Sequence, residues 1–123
     1  ENIKNIVNGI SSSMGANAIF ESIPNYPATI NIPKHAELCA NAAAMVVGNK
    51  NVLRSEPPTM GSEDFAFLLN ASEGAYIWIG NGLVPEDSPR GGCMLHNTQY
   101  DFNDEILPIG TSYWVQLVQN ILK

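Results

Sequence analysis

The chain has 123 residues, of which 45% are hydrophobic and 15% are charged. This composition is typical of a single soluble globular domain. The net charge of -6, from six Lys and Arg against twelve Asp and Glu, argues against a nucleic-acid partner, because binding to a phosphate backbone requires clustered cations. The longest apolar runs, residues 42–47 and 75–79, are much shorter than the roughly 20 residues of a membrane-crossing helix, so no membrane partner is expected.

The first residue and the cysteines indicate the context of the chain. It opens at Glu1, without Met and without a signal-peptide pattern, and we interpret this opening as a cut within a longer protein. The two cysteines are too few for a disulfide framework and favour a reducing compartment. Cytoplasm is therefore the expected location.

The N-terminal third predicts a helix followed by a strand. Apolar residues recur at helical spacing through residues 1–14, and Gly15 follows as a helix terminator. Residues 16–23 alternate in a manner that suits a half-covered strand. Two prolines within residues 24–27 then interrupt regular structure, and we predict a domain boundary or crossover there.

The rest of the chain predicts an α/β fold. A second helix enters at residues 31–33 and runs to Gly48, and a short third helix over residues 63–69 has Ser62 as its predicted cap. The apolar run 75–79 predicts a buried strand, residues 83–103 a long functional or well-packed loop, and residues 104–122 a final helix capped by Asn103. Functional sites of such folds lie beyond the carboxyl ends of the strands.

Two polar segments are candidates for a site. His96 lies in the long loop, where an imidazole can ligate a metal and the carboxylates of Asp101 and Asp104 can orient its ring. An ordinary hydrogen-bonding histidine is the competing interpretation. For nearby Cys93 packing is favoured over ligation, and His35 is interpreted as an exposed structural residue.

The second segment is the start of the third helix. The backbone N–H groups at and after Gly61 are donors for a substrate carboxylate or carbonyl. Glu63 and Asp64 are already explained by the helix dipole, which favours acidic residues in a first turn. The glycines of residues 80–82 suit either a strand-ending turn or a close approach of the backbone to a ligand.

Three motifs together resemble the metal-dependent amidohydrolase family of hippurate hydrolase, N-acyl-amino-acid deacylases and indole-acetyl-amino-acid hydrolases. They are, in chain order, Pro58-Thr59-Met60-Gly61-Ser62-Glu63-Asp64-Phe65, Gly80-Asn81-Gly82, and Leu95-His96-Asn97 with Tyr100-Asp101-Phe102-Asn103-Asp104. Thr98 departs from the pattern, because proline commonly stands there in the family.

The resemblance implies a fold and a division into domains. Residues 1–24 resemble the last helix and strand of a ferredoxin-like lid domain, which often dimerises in the family. Residues 25–123 resemble the C-terminal part of a catalytic domain with helices packed on a mixed sheet.

The resemblance also implies a chemistry. His96 maps onto a metal ligand, and Met60, Gly61 and Ser62 onto the substrate cleft. The intact enzyme is expected to use two divalent ions, Zn or Mn, to hydrolyse an N-acyl amino acid or small peptide. The general base and the remaining ligands are expected upstream, so this segment alone should be inactive and hold no metal stably. The alternative is a non-catalytic binding or dimerisation module.

Overall fold

The structure, a computed structural model, describes residues 1–82, Cys93 and residues 95–123. Its elements are α1 (Asn2–Ser13), α2 (Pro33–Val47), η1 (Asn49–Asn51), α3 (Phe65–Ala71), η2 (Asp104–Ile106) and α4 (Leu107–Ile121), where η marks a short 3-10 helix. Within the described ranges, none of the helices combines the length and hydropathy needed to cross a bilayer.

Helix α1 confirms the helix predicted for residues 1–14. It ends at Ser13, and Gly15 follows in the left-handed region at φ 71°, a conformation that glycine adopts without steric cost. The apolar stripe of α1 is uncovered, since Ile3, Ile6 and Ile10 are each more than half exposed. The helix is amphipathic, as predicted, but its apolar face contacts no other helix of the described part.

Helix α2 also matches its predicted bounds. Pro33 occupies the first turn, where its missing N–H is not needed, and the Ile32 carbonyl accepts hydrogen bonds from the N–H groups of His35 and Ala36. The helix ends at Val47, and Gly48 follows at φ 83°. Local signals of sequence therefore set both ends.

Helices α2 and α4 pack against each other and form the small core. Cys39 and Ala42 of α2 are buried against Tyr113 of α4. The small side chains at these two α2 positions leave space for the tyrosine ring between the helices. Ala75 and Ile77 lie over this contact and are partly buried by it.

The start of helix α4 confirms the predicted cap. The Asn103 side-chain oxygen accepts a hydrogen bond from the Glu105 N–H at 3.2 Å. The chain then passes through η2 directly into α4. The predicted helix over residues 104–122 is therefore present, with a 3-10 first turn.

The cap predicted at Ser62 is wrong. Helix α3 begins at Phe65, and no side chain of its N-cap residue, Asp64, closes the first turn. The Glu63 carboxylate instead accepts the Phe65 N–H at 3.2 Å. A carboxylate on a longer side chain satisfies this free N–H group, so Ser62 remains exposed outside the helix.

The two predicted strands are not paired in the described part of the chain. Residues 16–23 and 75–79 have no regular secondary structure there. An apolar or alternating pattern indicates which faces are covered, but a strand also needs a second backbone for its hydrogen bonds. The mixed sheet and the lid domain are accordingly not seen among the described residues. Most of the predicted loop, residues 83–92 and 94, lies outside those residues.

Candidate active site

The segment predicted to line the substrate cleft lies on the surface just before α3. Met60, Gly61 and Ser62 are all exposed, and the Met60 side chain is 98% exposed. Backbone and side-chain groups of this segment are thus accessible to a ligand. Helix α3 itself is only seven residues long.

Glu63 fixes the end of this segment to the rest of the fold. Its carboxylate accepts the Phe65 N–H and also the Tyr76 hydroxyl, the latter at 2.9 Å. These two hydrogen bonds, from the Phe65 backbone first and the Tyr76 hydroxyl second, lower the pKa of Glu63. The same contact with Glu63 raises the pKa of Tyr76. The pair therefore keeps a charged acceptor and a neutral donor over a wide pH range.

The backbone of Tyr76 is held by the Asn31 side chain, which makes the two hydrogen bonds that a neighbouring strand would otherwise make. The Asn31 amide donates to the Tyr76 carbonyl at 2.8 Å and accepts the Tyr76 N–H at 2.7 Å. The Tyr76 ring also packs at 5.4 Å, centroid to centroid, from the rings of Phe65 and Trp78. Asn31 and Tyr76 are not among the predicted site residues, because no local pattern of sequence indicates a contact across 45 residues.

His96, the predicted metal ligand, lies in an exposed turn with an uncommon backbone conformation. Its φ is 69°, the only positive φ of a non-glycine residue in the described ranges. Histidine is one of the residues that adopts this region more readily than others, and such residues cluster at ligand sites and active sites. The next residue, Asn97, accepts two hydrogen bonds: its side-chain oxygen accepts the Gln99 N–H, and its backbone carbonyl accepts the Tyr100 N–H.

The predicted support of the His96 ring by carboxylates is not met. No hydrogen bond joins His96 to Asp101 or Asp104, all three of which are described. Asp101 contributes instead through its backbone carbonyl, which accepts a hydrogen bond from Asn81. Carboxylates near an imidazole in sequence do not reach it unless the turn directs them inward.

The donors for a metal ion are incomplete in this part of the chain. Among the described residues, no group of three or more His, Cys, Asp and Glu lies close enough to hold a metal. A protein metal site ordinarily needs three or four such ligands. An exposed imidazole has suitable donor chemistry for one position only, so these residues do not form a complete metal centre.

The other histidine and the nearby cysteine have structural surroundings. His35 is a quarter exposed, and its Nε2 lies 3.1 Å from the Glu73 carboxylate. This hydrogen bond is the main cause of the lowered pKa of Glu73. Cys93 is a half-buried free thiol. The interpretation of His35 as structural agrees with this hydrogen bond, although the residue is less exposed than expected.

Both candidate segments are attached to one stretch of backbone, residues 74–82. Tyr76 in this stretch holds Glu63, and Asn81 holds Asp101 and Asn103 through three hydrogen bonds. No hydrogen bond joins residues 60–62 directly to the turn at His96 within the described ranges. The stretch 74–82 therefore holds each of the two segments by its own hydrogen bonds.

Beside this stretch lies an open apolar groove of about 350 Å³ between α2 and α4. Its walls include Leu38, Ala75, Ile77, Trp114 and Leu117. Polar groups on the walls are few, and His96 is not among them. The groove is consequently a packing surface and not the candidate site for chemistry.

Comparison with known proteins identifies related hydrolases. The model of peptidase family M20/M25/M40 matches residues 8–120. The chain is 31% identical to the hippurate hydrolase of Campylobacter jejuni over 79% of its own length and 23% of that protein. It is 25% identical to the N-acetylcysteine deacetylase of Bacillus subtilis over 100% of its length and 30% of that protein.

A plant hydrolase is similar to the chain at a comparable level of identity. The chain is 29% identical to an IAA-amino acid hydrolase of Arabidopsis thaliana, over 85% of its own length and 23% of that protein. The chain thus spans about a quarter of the length of the relatives it matches. No solved structure gives a significant match.

Proposed function

This chain belongs to peptidase family M20/M25/M40, and from that membership we propose that it forms part of a metal-dependent amidohydrolase. The proposed reaction is hydrolysis of the amide bond in an N-acyl amino acid or a related small peptide. The observation that carries this proposal is the family match over residues 8–120. The names of the relatives, which refer to hippurate, N-acetylcysteine and IAA-amino acids, all support a small substrate.

In this proposal the chain supplies one ligand of the metal centre and one of the segments that line the substrate cleft. His96 is the proposed metal ligand, and its exposed imidazole in a strained turn supports that role. Two divalent ions, Zn or Mn, supply Lewis-acid activation of the amide carbonyl and of water when they are bound. Among the described residues no group of three or more His, Cys, Asp and Glu lies close enough to hold a metal, and in this proposal the other ligands and the general base belong to the rest of the enzyme.

The substrate wall is the segment Met60, Gly61 and Ser62. Its exposure leaves the Gly61 and Ser62 backbone free to donate to a carboxylate or carbonyl of the substrate. The Glu63 carboxylate, held by Tyr76, keeps this segment in place at the start of α3. The thioether of Met60 provides an adaptable apolar contact for the acyl group.

The division of the chain follows from the same proposal. Residues 1–24 end a lid domain, and residues 25–123 form the C-terminal part of the catalytic domain. The uncovered apolar stripe of α1 supports a lid that packs against another surface, including that of a second subunit. The same stripe is the observation that favours the second candidate function, a non-catalytic dimerisation module.

A pair of histidine substitutions separates the two candidate functions. In the full-length protein, His96→Ala should remove bound metal and lower the rate of hydrolysis of hippurate-type substrates by about 100-fold or more, with the fold retained. His35→Ala is the matched control, since His35 contacts Glu73 and not the candidate site. Unchanged metal content and rate in His96→Ala would favour the dimerisation module.

The isolated chain provides a further check on the incomplete centre. With Mn²⁺ or Zn²⁺ added, we expect the 123-residue chain to show no turnover of acyl amino acids, because one imidazole cannot replace the missing ligands and base. Mass-spectrometric detection of released amino acid gives the necessary sensitivity. Appreciable turnover by this chain would contradict the proposal that the centre is completed elsewhere.

A further inference from the structure

Asn81 and Asn103 form a reciprocal amide pair. The Asn81 side-chain oxygen accepts the Asn103 N–H at 2.8 Å, and the Asn81 carbonyl accepts the Asn103 side-chain N–H at 3.2 Å. The Asn81 side-chain N–H donates to the Asp101 carbonyl at 3.1 Å. Both polar atoms of the Asn81 side chain are therefore used to hold the backbone of residues 101–103.

Partial burial and further hydrogen bonds restrain this pair. Both asparagines are half-buried, so the two hydrogen bonds between them are partly shielded from competing water, whereas the hydrogen bond to Asp101 is exposed. Gly82 follows at φ 88°, a left-handed conformation that glycine adopts without steric cost. The Asn103 oxygen at the same time caps the turn that leads into α4. Asn103 is thus fixed to Asn81 on one side and to the start of α4 on the other.

The pair lies at the end of the turn that carries His96. From the Asn97 carbonyl, which accepts the Tyr100 N–H at 3.0 Å, the chain continues directly to Asp101. Four residues, 97–100, therefore separate His96 from Asp101, to which Asn81 donates, and six residues, 97–102, separate it from Asn103. The left-handed conformation of His96 is unfavourable for a residue with a side chain, and it persists only where the surrounding structure imposes it.

We propose that Asn81 is a positioning residue for His96, which it acts on through Asp101 and Asn103. This inference rests on the proposed function of His96 as a metal ligand. It assigns the Gly80-Asn81-Gly82 motif a role beyond a chain-reversing turn: Asn81 supplies the hydrogen bonds to residues 101 and 103, and Gly82 adopts the left-handed backbone conformation that follows it. Residues that orient metal ligands typically change metal affinity or activity by 10- to 100-fold when they are replaced.

The test measures metal affinity and stability together in the full-length enzyme. Zn²⁺ affinity is determined by competition with a chromophoric chelator, and the unfolding temperature is measured on the metal-free protein. For Asn81→Ala we expect Zn²⁺ affinity to fall about 10- to 100-fold. Asn81→Asp retains the acceptor for the Asn103 N–H but loses the donor to Asp101, so an intermediate affinity is expected.

Asn51→Ala is the matched control, because the Asn51 side chain donates to the Val47 carbonyl at 2.7 Å, away from the His96 turn. It should reduce the unfolding temperature without changing Zn²⁺ affinity. An equal loss of affinity in Asn51→Ala and Asn81→Ala would overturn the proposal, because a general loss of stability would then explain both. Normal affinity in Asn81→Ala would also overturn it.

His96→Ala distinguishes this failure from failure of the proposed function. If His96→Ala lowers Zn²⁺ affinity and Asn81→Ala does not, the ligand assignment stands and the positioning role is wrong. If His96→Ala leaves the affinity unchanged, the ligand assignment itself is wrong, and the positioning role fails with it. A loss in both variants, with retention in Asn51→Ala, supports both assignments.

Discussion

The Glu63 carboxylate gives the structure a specific acid sensitivity. Its pKa is lowered from the ordinary value of 4.5 by the hydrogen bonds from Phe65 and Tyr76. The ionised form is thus preferred in the folded state, and the resulting stability is fully present above the ordinary pKa. It is lost as the pH falls through the lower folded-state pKa.

Glu63→Gln should therefore reduce the acid dependence of unfolding below about pH 4.5. Urea unfolding of the full-length protein between pH 3 and pH 7, roughly the range over which carboxylates titrate, measures this dependence. Glu56→Gln is the control, because Glu56 is exposed and makes no hydrogen bond within the described ranges. An acid dependence that is the same in Glu63→Gln and wild type would show that the Tyr76 contact does not favour the charged form.

At the scale of elements, the contact between α2 and α4 depends on small side chains. Ala42 has no exposed surface and faces the buried Tyr113. A larger side chain at this position must displace the ring or the helix, which typically costs about 1–3 kcal/mol. We expect Ala42→Leu to lower the free energy of unfolding by that amount, as measured by urea denaturation of the full-length protein.

Ala71→Leu is the control for this substitution. Ala71 is the exposed last residue of α3, and exposed substitutions usually change stability by less than about 0.5 kcal/mol. Equal effects of the two substitutions would contradict the close packing of α2 on α4. The contrast tests the position of the core without altering the candidate site.

The helices were predictable because their signals are local. Pro33, Gly15, Gly48 and Asn103 mark helix ends within a few residues of the ends they determine. The contacts around the candidate site are not of this kind. Asn81 bonds to Asn103 across 22 residues, and nothing in the spacing of polar residues indicates which partner an amide will meet.

The predictions that failed also concern contacts between residues that are distant in sequence. The prediction that the run at residues 75–79 is a strand buried on both faces is wrong: Ala75 and Ile77 pack on the core, but Trp78 and Ile79 are exposed, and the run cannot supply a neighbouring strand. Likewise, the acidic residues before α3 were explained by the helix dipole, whereas Glu63 also reaches Tyr76. That contact depends on how residues 74–82 cross the helix start, which only tertiary structure determines.

At the scale of the whole molecule, the chain exposes more surface than a typical protein of its size. Its accessible surface is 10210 Å², whereas a folded monomer of 13.3 kDa typically exposes about 6,500 Å². Many of its large apolar side chains are exposed, including Trp78, Trp114 and Ile121. Trp114 and Ile121 also line the groove between α2 and α4.

The isolated chain should therefore self-associate. Light scattering at increasing protein concentration should show a rising average mass, because exposed apolar surface of this extent drives association in water. Replacement of Trp114 and Ile121 by Gln should reduce the effect, while Lys4→Gln on the polar side of α1 serves as the control. A concentration-independent monomer would indicate that the chain covers these side chains by itself.

The burial of Cys39 has a practical consequence. Its thiol lies under Tyr113 at the junction of α2 and α4, whereas the thiol of Cys93 is half-buried outside the helices. Cys39 is 9% exposed and also lines the groove between α2 and α4, so an alkylating reagent should react with it faster whenever the two helices separate, and the rate of labelling reports on that junction. The native Cys39 thiol thus serves as a probe of transient separation of α2 and α4, and its alkylation can be followed by peptide mass spectrometry without an introduced cysteine.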